Sequence, residues 1–446
     1  MAATEGAPAV PGEERKLSIV GVAVLGIGSM VGAGIFALLG EAAVVAGSAV
    51  WLSFLLAGGV TILLAYNVIK LGIRYPSSGG LIEYLRQGFG NGRLLGVASW
   101  LGYAAAFVIV TAMVAVSFGS YAVSLFGADG WSGWDNVFTS AVILLMTAIN
   151  VLGTQIVARV ASGLVFLLLA VFALFIAVTI TDIDFDLLAF SGYPAFSDIV
   201  ASVALTFFAF LGFGVMTFAV GNLRNPGREL PRAMLLALGV TTTTYVLIAL
   251  GVFGTLTVDE AIGYGETAIA EAARPALGDA GFTIMAVAAL LATAGSTNAT
   301  LFASKNLTAE LAQIGQFPPF FGPRSRLGPH AGLLISAGLV LFIANLVDLS
   351  AIASVGSACS LLVFLLVGVA GYRRRSETGA NLLLILLGLA ATMVVLVAFA
   401  LDTLENAPET FAAIVGITLL AVAADLVWKR MRPLEPVGAA QPTSSS

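Results

Sequence analysis

The 446-residue chain is short of charge, of cysteine and of histidine. Asp, Glu, Lys and Arg together make up 10% of it, against 59% hydrophobic residues, and its mean hydropathy is +1.02. Soluble domains carry about a quarter charged residues, so this chain cannot assemble a water-facing surface, and a bilayer is the solvent it fits. The one cysteine, Cys359, stands in an apolar run, which excludes a disulfide framework and a cysteine-based metal site. The one histidine, His330, stands just before a hydrophobic segment and reads as a helix-end residue. An intramembrane enzyme would need a nucleophile–base pair, a His/Asp cluster or a metal set. The sequence offers none of these, so no catalytic residue, no organic cofactor and no nucleic-acid partner is expected. The short alternating segments of a β-barrel are missing too, so helices must satisfy the backbone inside the membrane. A cleavable signal is also lacking: Met1–Glu14 is polar, contains Pro and Gly, and reads as a cytoplasmic tail.

What is there is apolar sequence in blocks, at about 17–39, 48–73, 93–126, 134–152, 158–181, 196–222, 230–256, 279–312, 330–348, 350–371, 379–401 and 409–430. Each block is near the roughly 20 residues a crossing helix needs, so the expected fold is an all-α polytopic membrane protein with twelve transmembrane helices. Charge gives an independent reading. With the N-terminus inside, nineteen of the twenty Lys and Arg fall on the cytoplasmic side, and Arg274 alone falls outside. Both termini are therefore expected in the cytoplasm of a cell-membrane protein. Between the spans, PSSGGLIEYLRQGFGN (76–91) reads as a short amphipathic in-plane helix. The loop 257–278 has enough helix formers for an external cap, with a solvated loop as the alternative. Residues 433–446 read as a low-complexity, disordered tail.

Against this background, GIGSMVGAGIF (26–36) is anomalous. Gly26, Gly28, Gly32 and Gly34 stand inside the first span, although each glycine weakens a helix. Nucleotide binding is the weakest of three readings: the pattern is not GxGxxG, and no strand precedes it. Two readings stay open. Gly28 and Gly32 form a GxxxG face suited to close helix packing. Alternatively the helix breaks here, which is tolerated only where the freed N–H and C=O groups line a cavity or are buried in protein. The sixth span repeats the anomaly with Gly212, Gly214 and Gly221. Interruptions five spans apart are what an inverted five-plus-five repeat predicts.

At these residues the sequence resembles the amino acid–polyamine–organocation permeases. MVGAGIF (30–36) is similar to that family's unwound first helix, and PSSGGLIEYL (76–85) to the stretch after its second. FFAFLGF with NLRNPGRELPRAM (207–213, 222–234) is similar to its sixth helix and basic exit loop, and STNATLFASKNLTAEL (296–311) to its eighth. The resemblance implies two inverted five-helix repeats, 17–182 and 196–372, discontinuous helices 1 and 6, and two further helices over 378–432. It implies a secondary transporter of amino acids. The substrate carboxylate would meet the backbone amides of Ala33 and Gly34. The ammonium would meet carbonyls near Met30 and around Phe208, Ala209, Phe210 and Leu211. Val31, Gly32, Gly212 and Gly214 complete the implied site. Phe208 matches a gating aromatic, with core packing or a lipid-facing position as the alternative.

Departures from the family pattern narrow the expectation. Gly214 stands where many members carry an acid, and spans one, three, six, eight and ten have no mid-membrane Asp or Glu. A cationic side chain would lack a partner, so neutral, apolar amino acids are the expected substrates. The position of the lysine found in proton-coupled relatives falls near Leu168, and span five has no lysine. In sodium-coupled transporters of the wider fold, the matching oxygens are the carbonyls of Gly28, Val31 and Thr293 and the hydroxyls of Ser296 and Thr297. Na⁺ is the candidate coupling ion, with an uncoupled uniporter or exchanger, or a transporter-like receptor without turnover, as alternatives. Lys305, Glu310, Arg228, Glu229 and Arg232 read as interfacial structural or topogenic charges, with gating salt bridges as the alternative. Asn150 and Asn298 are candidates for interhelical hydrogen bonds.

Overall fold

The computed structural model describes residues 18–32, 34–77, 80–128, 130–131, 133–152, 157–323, 325–326 and 328–431, with no β-strand among them. Helices α1 (Ile19–Val31) and α2 (Ile35–Ala46) share the first apolar block, and α3 (Val50–Arg74) forms the second. The amphipathic α4 (Gly80–Phe89) follows. Then α5 (Arg93–Tyr103) runs through a π-helical turn at Ala104–Ile109 into α6 (Val110–Phe126). Next come α7 (Trp134–Leu152), α8 (Val157–Thr179) and α9 (Phe196–Phe208), a 3₁₀ helix at Leu211–Asn222, and α10 (Pro226–Phe253). A cap made of α11 (Val258–Tyr264) and α12 (Ala268–Glu271) precedes α13 (Arg274–Gln313). The chain closes with α14 (Ala331–Leu346), α15 (Leu349–Arg373), the single turn α16 (Arg375–Thr378), α17 (Leu382–Asn406) and α18 (Pro408–Met431).

Among the described residues nine helical stretches are long and apolar enough to cross a membrane. Two shorter apolar helices, 19–31 and 331–346, fall below that length, as does the stretch 163–179 within α8. The first shortfall has a local cause. Thirteen helical residues rise about 20 Å, less than the roughly 30 Å hydrocarbon core, because the break after Val31 divides the first apolar block. The helix count therefore follows from where the chain breaks as much as from hydropathy.

Burial sorts the helices into centre and rim. The apolar windows of Phe196–Gly221 and α15 are each 78% buried inside the protein, and that of α18 only 11%. So α9, the 3₁₀ helix and α15 lie at the centre, while α17 and α18 present Leu383, Val394, Leu401, Leu419 and Leu420 outward. An apolar exterior is stable only against lipid. The termini 1–16 and 433–446 of the sequence reading lie outside the described residues.

The two helices expected outside the spans are present. In α4, Ile82, Tyr84 and Leu85 turn inward, Glu83 pairs with Arg86 at 2.8 Å, and Arg374 Nε donates to the Gln87 carbonyl at 2.7 Å. In the cap, Thr257 and Glu260 form a reciprocal capping box at the start of α11. Ala261, Ala268, Ile269 and Ala270 are buried beneath it, so this segment is a packed helical cap and not a solvated loop.

Candidate functional site

The first glycine cluster is a true interruption. α1 stops at Val31; Gly32 N–H donates to Gly28 O at 3.2 Å and Gly34 N–H to Met30 O at 3.1 Å. α2 then starts at Ile35 with Gly34 as N-cap and no side chain capping it. The first N–H groups of a helix have no intrahelical acceptor, and here they belong to buried Ile35 and Phe36. This end of α2 therefore offers donors and a partial positive charge inside the protein.

The second cluster breaks differently. α9 ends at Phe208, and Ala209 and Phe210 donate to Thr206 O (3.1 Å) and Phe207 O (2.9 Å). These tighter bonds lead into the 3₁₀ helix, which runs for 12 residues. Such helices rarely exceed four residues, and longer ones mark strain or a hinge. Two contacts hold the break: Tyr245 Oη donates to the Ala209 carbonyl at 3.3 Å, and Thr206 Oγ1 donates to Ser53 O at 3.1 Å.

The two interruptions touch backbone to backbone. A Cβ on Gly34 would lie 2.5 Å from Ala209 Cβ and 2.7 Å from Ala209 Cα. One on Gly212 would lie 2.4 Å from the Ser29 carbonyl carbon and 2.5 Å from Met30 N. No side chain fits at either position. The GxxxG reading needs correction, because its two glycines meet different helices. A Cβ on Gly28 would strike Val165 of α8 at 2.5 Å, and one on Gly32 would strike Ser296 Cβ of α13 at 2.9 Å and Ala292 O at 3.0 Å. The glycines thus both break the first helix and let three neighbours close on it.

The other implied site residues gather around this contact. Met30, Val31, Phe208, Ala209 and Phe210 are buried, and Leu211 and Gly212 are half-buried. Ala33 lies outside the described residues. Phe208 does not face lipid: its ring tip presses on Gly356 of α15, where a Cβ would come within 2.6 Å of Phe208 Cζ. Gly214 has room, since a Cβ there would meet only Leu81 at 3.4 Å and Phe364 at 3.9 Å. Gly214→Ala is accordingly expected to change stability by no more than about 1 kcal/mol, as thermal unfolding would show. The Gly34 amide and the Met30 carbonyl, expected on opposite ends of a zwitterion, are hydrogen-bonded to each other. The two clearest concavities lie elsewhere, a groove of about 500 Å³ along Trp131, Val137, Ser140 and Asn345 and a smaller one beside Ile176 and Leu250.

The first helix also passes close to α13. The Cβ position of Gly32 lies 2.9 Å from Ser296 Cβ and 3.0 Å from Ala292 O, next to the turn of α13 that carries Thr293, Ser296 and Thr297. Thr297 is fully buried, and its hydroxyl has no hydrogen-bond partner among the described residues. That is costly for a polar group and leaves an oxygen available to a hard cation. Thr293 spends its hydroxyl on Ala289 O at 2.7 Å, leaving only its carbonyl for such a role. Among the described residues no cluster of His, Cys, Asp and Glu suits a metal. Where the first helix passes α8, Val165 and not Leu168 is the residue at Gly28; both are apolar.

Asn150 Nδ2 donates to Asn298 Oδ1 at 2.8 Å and joins α7 to α13. Glu229 has a capping role, its carboxylate accepting from the backbone of Arg224 at 3.0 Å and of Asn225 at 3.1 Å. Tyr245 and Gly356 were missed. Tyr245 lies one span and Gly356 several spans away in sequence from the break each touches, and the only signal for Tyr245 was a lone phenol in an apolar run.

A family model described as amino acid permease matches residues 17–426. The inner membrane transport protein YbaT of Escherichia coli is 33% identical over 417 residues, covering 93% of this chain and 97% of that protein. The methylthioribose transporter of Bacillus subtilis is 28% identical over 80% of each chain. The branched-chain amino acid permease BcaP of the same organism is 27% identical over 56% of each.

Proposed function

Since the chain belongs to the amino acid permease family, we propose that it is a secondary transporter of neutral, apolar amino acids working by alternating access. In this reading twelve spans form two inverted five-helix repeats plus two C-terminal helices, in a cell membrane with both termini cytoplasmic. The observation that carries it is the contact of two broken helices, Gly34 against Ala209 and Gly212 against Ser29 and Met30. The N-terminus of α2 supplies donors for a carboxylate. Carbonyls at the end of α9 supply acceptors for an ammonium. A zwitterion is then matched by partial charges of opposite sign without a buried protein ion. The room at Gly214, and the absence of a mid-span acid in α9 and the 3₁₀ helix, favour an uncharged side chain. A relative named as a branched-chain amino acid permease supports the same class.

Sodium coupling rests on the Gly28, Val31 and Thr293 carbonyls with the Ser296 and Thr297 hydroxyls, and on the partnerless hydroxyl of Thr297 in particular. The cation would add positive charge beside the carboxylate end of the substrate. A second reading has support from the relative named as a methylthioribose transporter: a neutral solute without an amino-acid backbone, held by the same dipoles.

Counterflow in proteoliposomes against the neutral amino acids and methylthioribose, with Na⁺, Li⁺ or choline outside, separates these. Uptake of an apolar amino acid is the expected result, and exchange of Na⁺ for choline should lower it about tenfold or more. Thr297→Val should remove that sodium dependence while leaving the protein folded. Uptake indifferent to the cation would end the sodium reading. Folded protein that moves no solute of the panel would favour a receptor that does not turn over.

A further inference from the structure

The cap of α11 and α12 rests on α2 at one point of backbone contact. A Cβ on Gly40 would lie 2.6 Å from the Gly265 carbonyl oxygen. The next residue on each side is acidic, Glu41 on α2 and Glu266 in the cap, and Glu266 lies within the field of Glu41. Asp135, in the first turn of α7, adds to that field. Its backbone is pinned to α6, since a Cβ on Gly119 would meet Asp135 O at 2.7 Å. Tyr121 of α6 is buried, with a hydroxyl that has no partner among the described residues, and it too lies within the field of Glu266. Beyond Glu41, the Ser350 hydroxyl donates to its carboxylate, and Asp348 stands nearby.

On the cap itself stand Asp259, Tyr264 and Glu271, with Glu260 engaged in its capping box. Arg274, the base at the end of the cap, pairs with Glu271 at 2.5 Å and with Asp279. Among the described residues neither Glu41 nor Glu266 forms a salt bridge. Removal from water, and then the Glu41 and Asp135 charges, push the Glu266 carboxyl above the ordinary carboxylate range.

We infer that Glu41 and Glu266 form a proton-operated latch between α2 and the cap. The cap closes when the pair takes up a proton and opens when the proton leaves. Two half-buried carboxylates brought together repel unless one is neutral, whereas in the open form each is fully solvated. The closed form therefore binds the proton more tightly, and a falling pH favours closure. Its advantage is fully present below the ordinary carboxylate value and fades as pH rises through the raised value of the closed form. The inference rests on the proposed transport cycle only in treating this movement as a gate.

A thiol-accessibility measurement tests the latch without any substrate. In a Cys359→Ala background, Ala268→Cys places a thiol at a site that is buried under the closed cap, and Gly263→Cys places one at an exposed site. The ratio of their maleimide labelling rates cancels the intrinsic pH dependence of the thiolate. On purified, monodisperse protein the ratio should rise about tenfold between about pH 5.5 and about pH 8. With Glu41→Gln and Glu266→Gln together it should stay low throughout, because both amides are neutral at every pH. A ratio that does not move with pH, or one that still moves with both acids replaced, overturns the inference. Counterflow lost with the pH response intact would count against the transport reading alone.

Discussion

Replacing Gly34 by alanine is expected to cut transport about 100-fold or more while the protein remains inserted, helical and monodisperse. The added Cβ would sit 2.5 Å from Ala209 Cβ, 2.7 Å from its Cα and 2.9 Å from its carbonyl oxygen. Two of those atoms are backbone, which cannot rotate away. The end of α9 and the start of α2 must separate by about 1 Å, and a misplacement of that size in a binding constellation costs about 100-fold. Helix content is not at stake, since alanine is a better helix former than glycine. Proteoliposome counterflow with circular dichroism and size-exclusion chromatography checks both halves. The companion Ala209→Gly removes one of the three clashing atoms, so the double variant should recover part of the loss. Full transport by Gly34→Ala would mean that the two breaks need not touch for function.

Lys429→Met is expected to lower stability by about 3–5 kcal/mol. Lys429 Nζ lies 2.8 Å from Asp425 Oδ1, and the side chain of Asp425 is only 1% exposed. The same ammonium donates to Gly92 O at 3.0 Å, and the Cβ position of Gly96 lies within 2.7 Å of Nζ. Thus the last long helix docks on α5 through an ion pair set against bare glycine backbone. Removing the cation leaves a carboxylate buried without its counter-charge. Thermal unfolding in detergent measures the effect, and Asp425→Leu combined with Lys429→Met should recover most of it, because a well-packed apolar pair is close to neutral in such a place. A single variant as stable as the parent would show that water reaches Asp425.

Much of this architecture was legible before any coordinates. The helical blocks follow from hydropathy runs near bilayer length, and the short helix at 80–89 and the cap at 258–271 from composition between those runs. That Asn150 and Asn298 seek interhelical partners was readable, because an amide in an apolar helix must find another polar group; that they find each other was not. The interruption after Val31 was legible as a glycine cluster. Its partner surfaces were not. Nothing in the order of residues says that Gly28 faces Val165, or that Gly32 faces Ser296, because a helix presents several faces and spacing alone does not choose the neighbour on each. The 3₁₀ course of 211–222 was equally hidden, because it depends on how α9 ends against Tyr245 and Ser53.

By itself the sequence determined the solvent, the helical class and the glycine clusters at which a helix can fail, because these depend on side-chain polarity and on the missing Cβ of glycine. Tertiary structure alone decided that the two failures meet each other, that Phe208 points at α15 and not at lipid, and that Gly40 of α2 meets Gly265 of the cap. Those are relations between residues far apart in the chain. They are set by which helix surfaces close together, a choice that local preference leaves open and packing resolves.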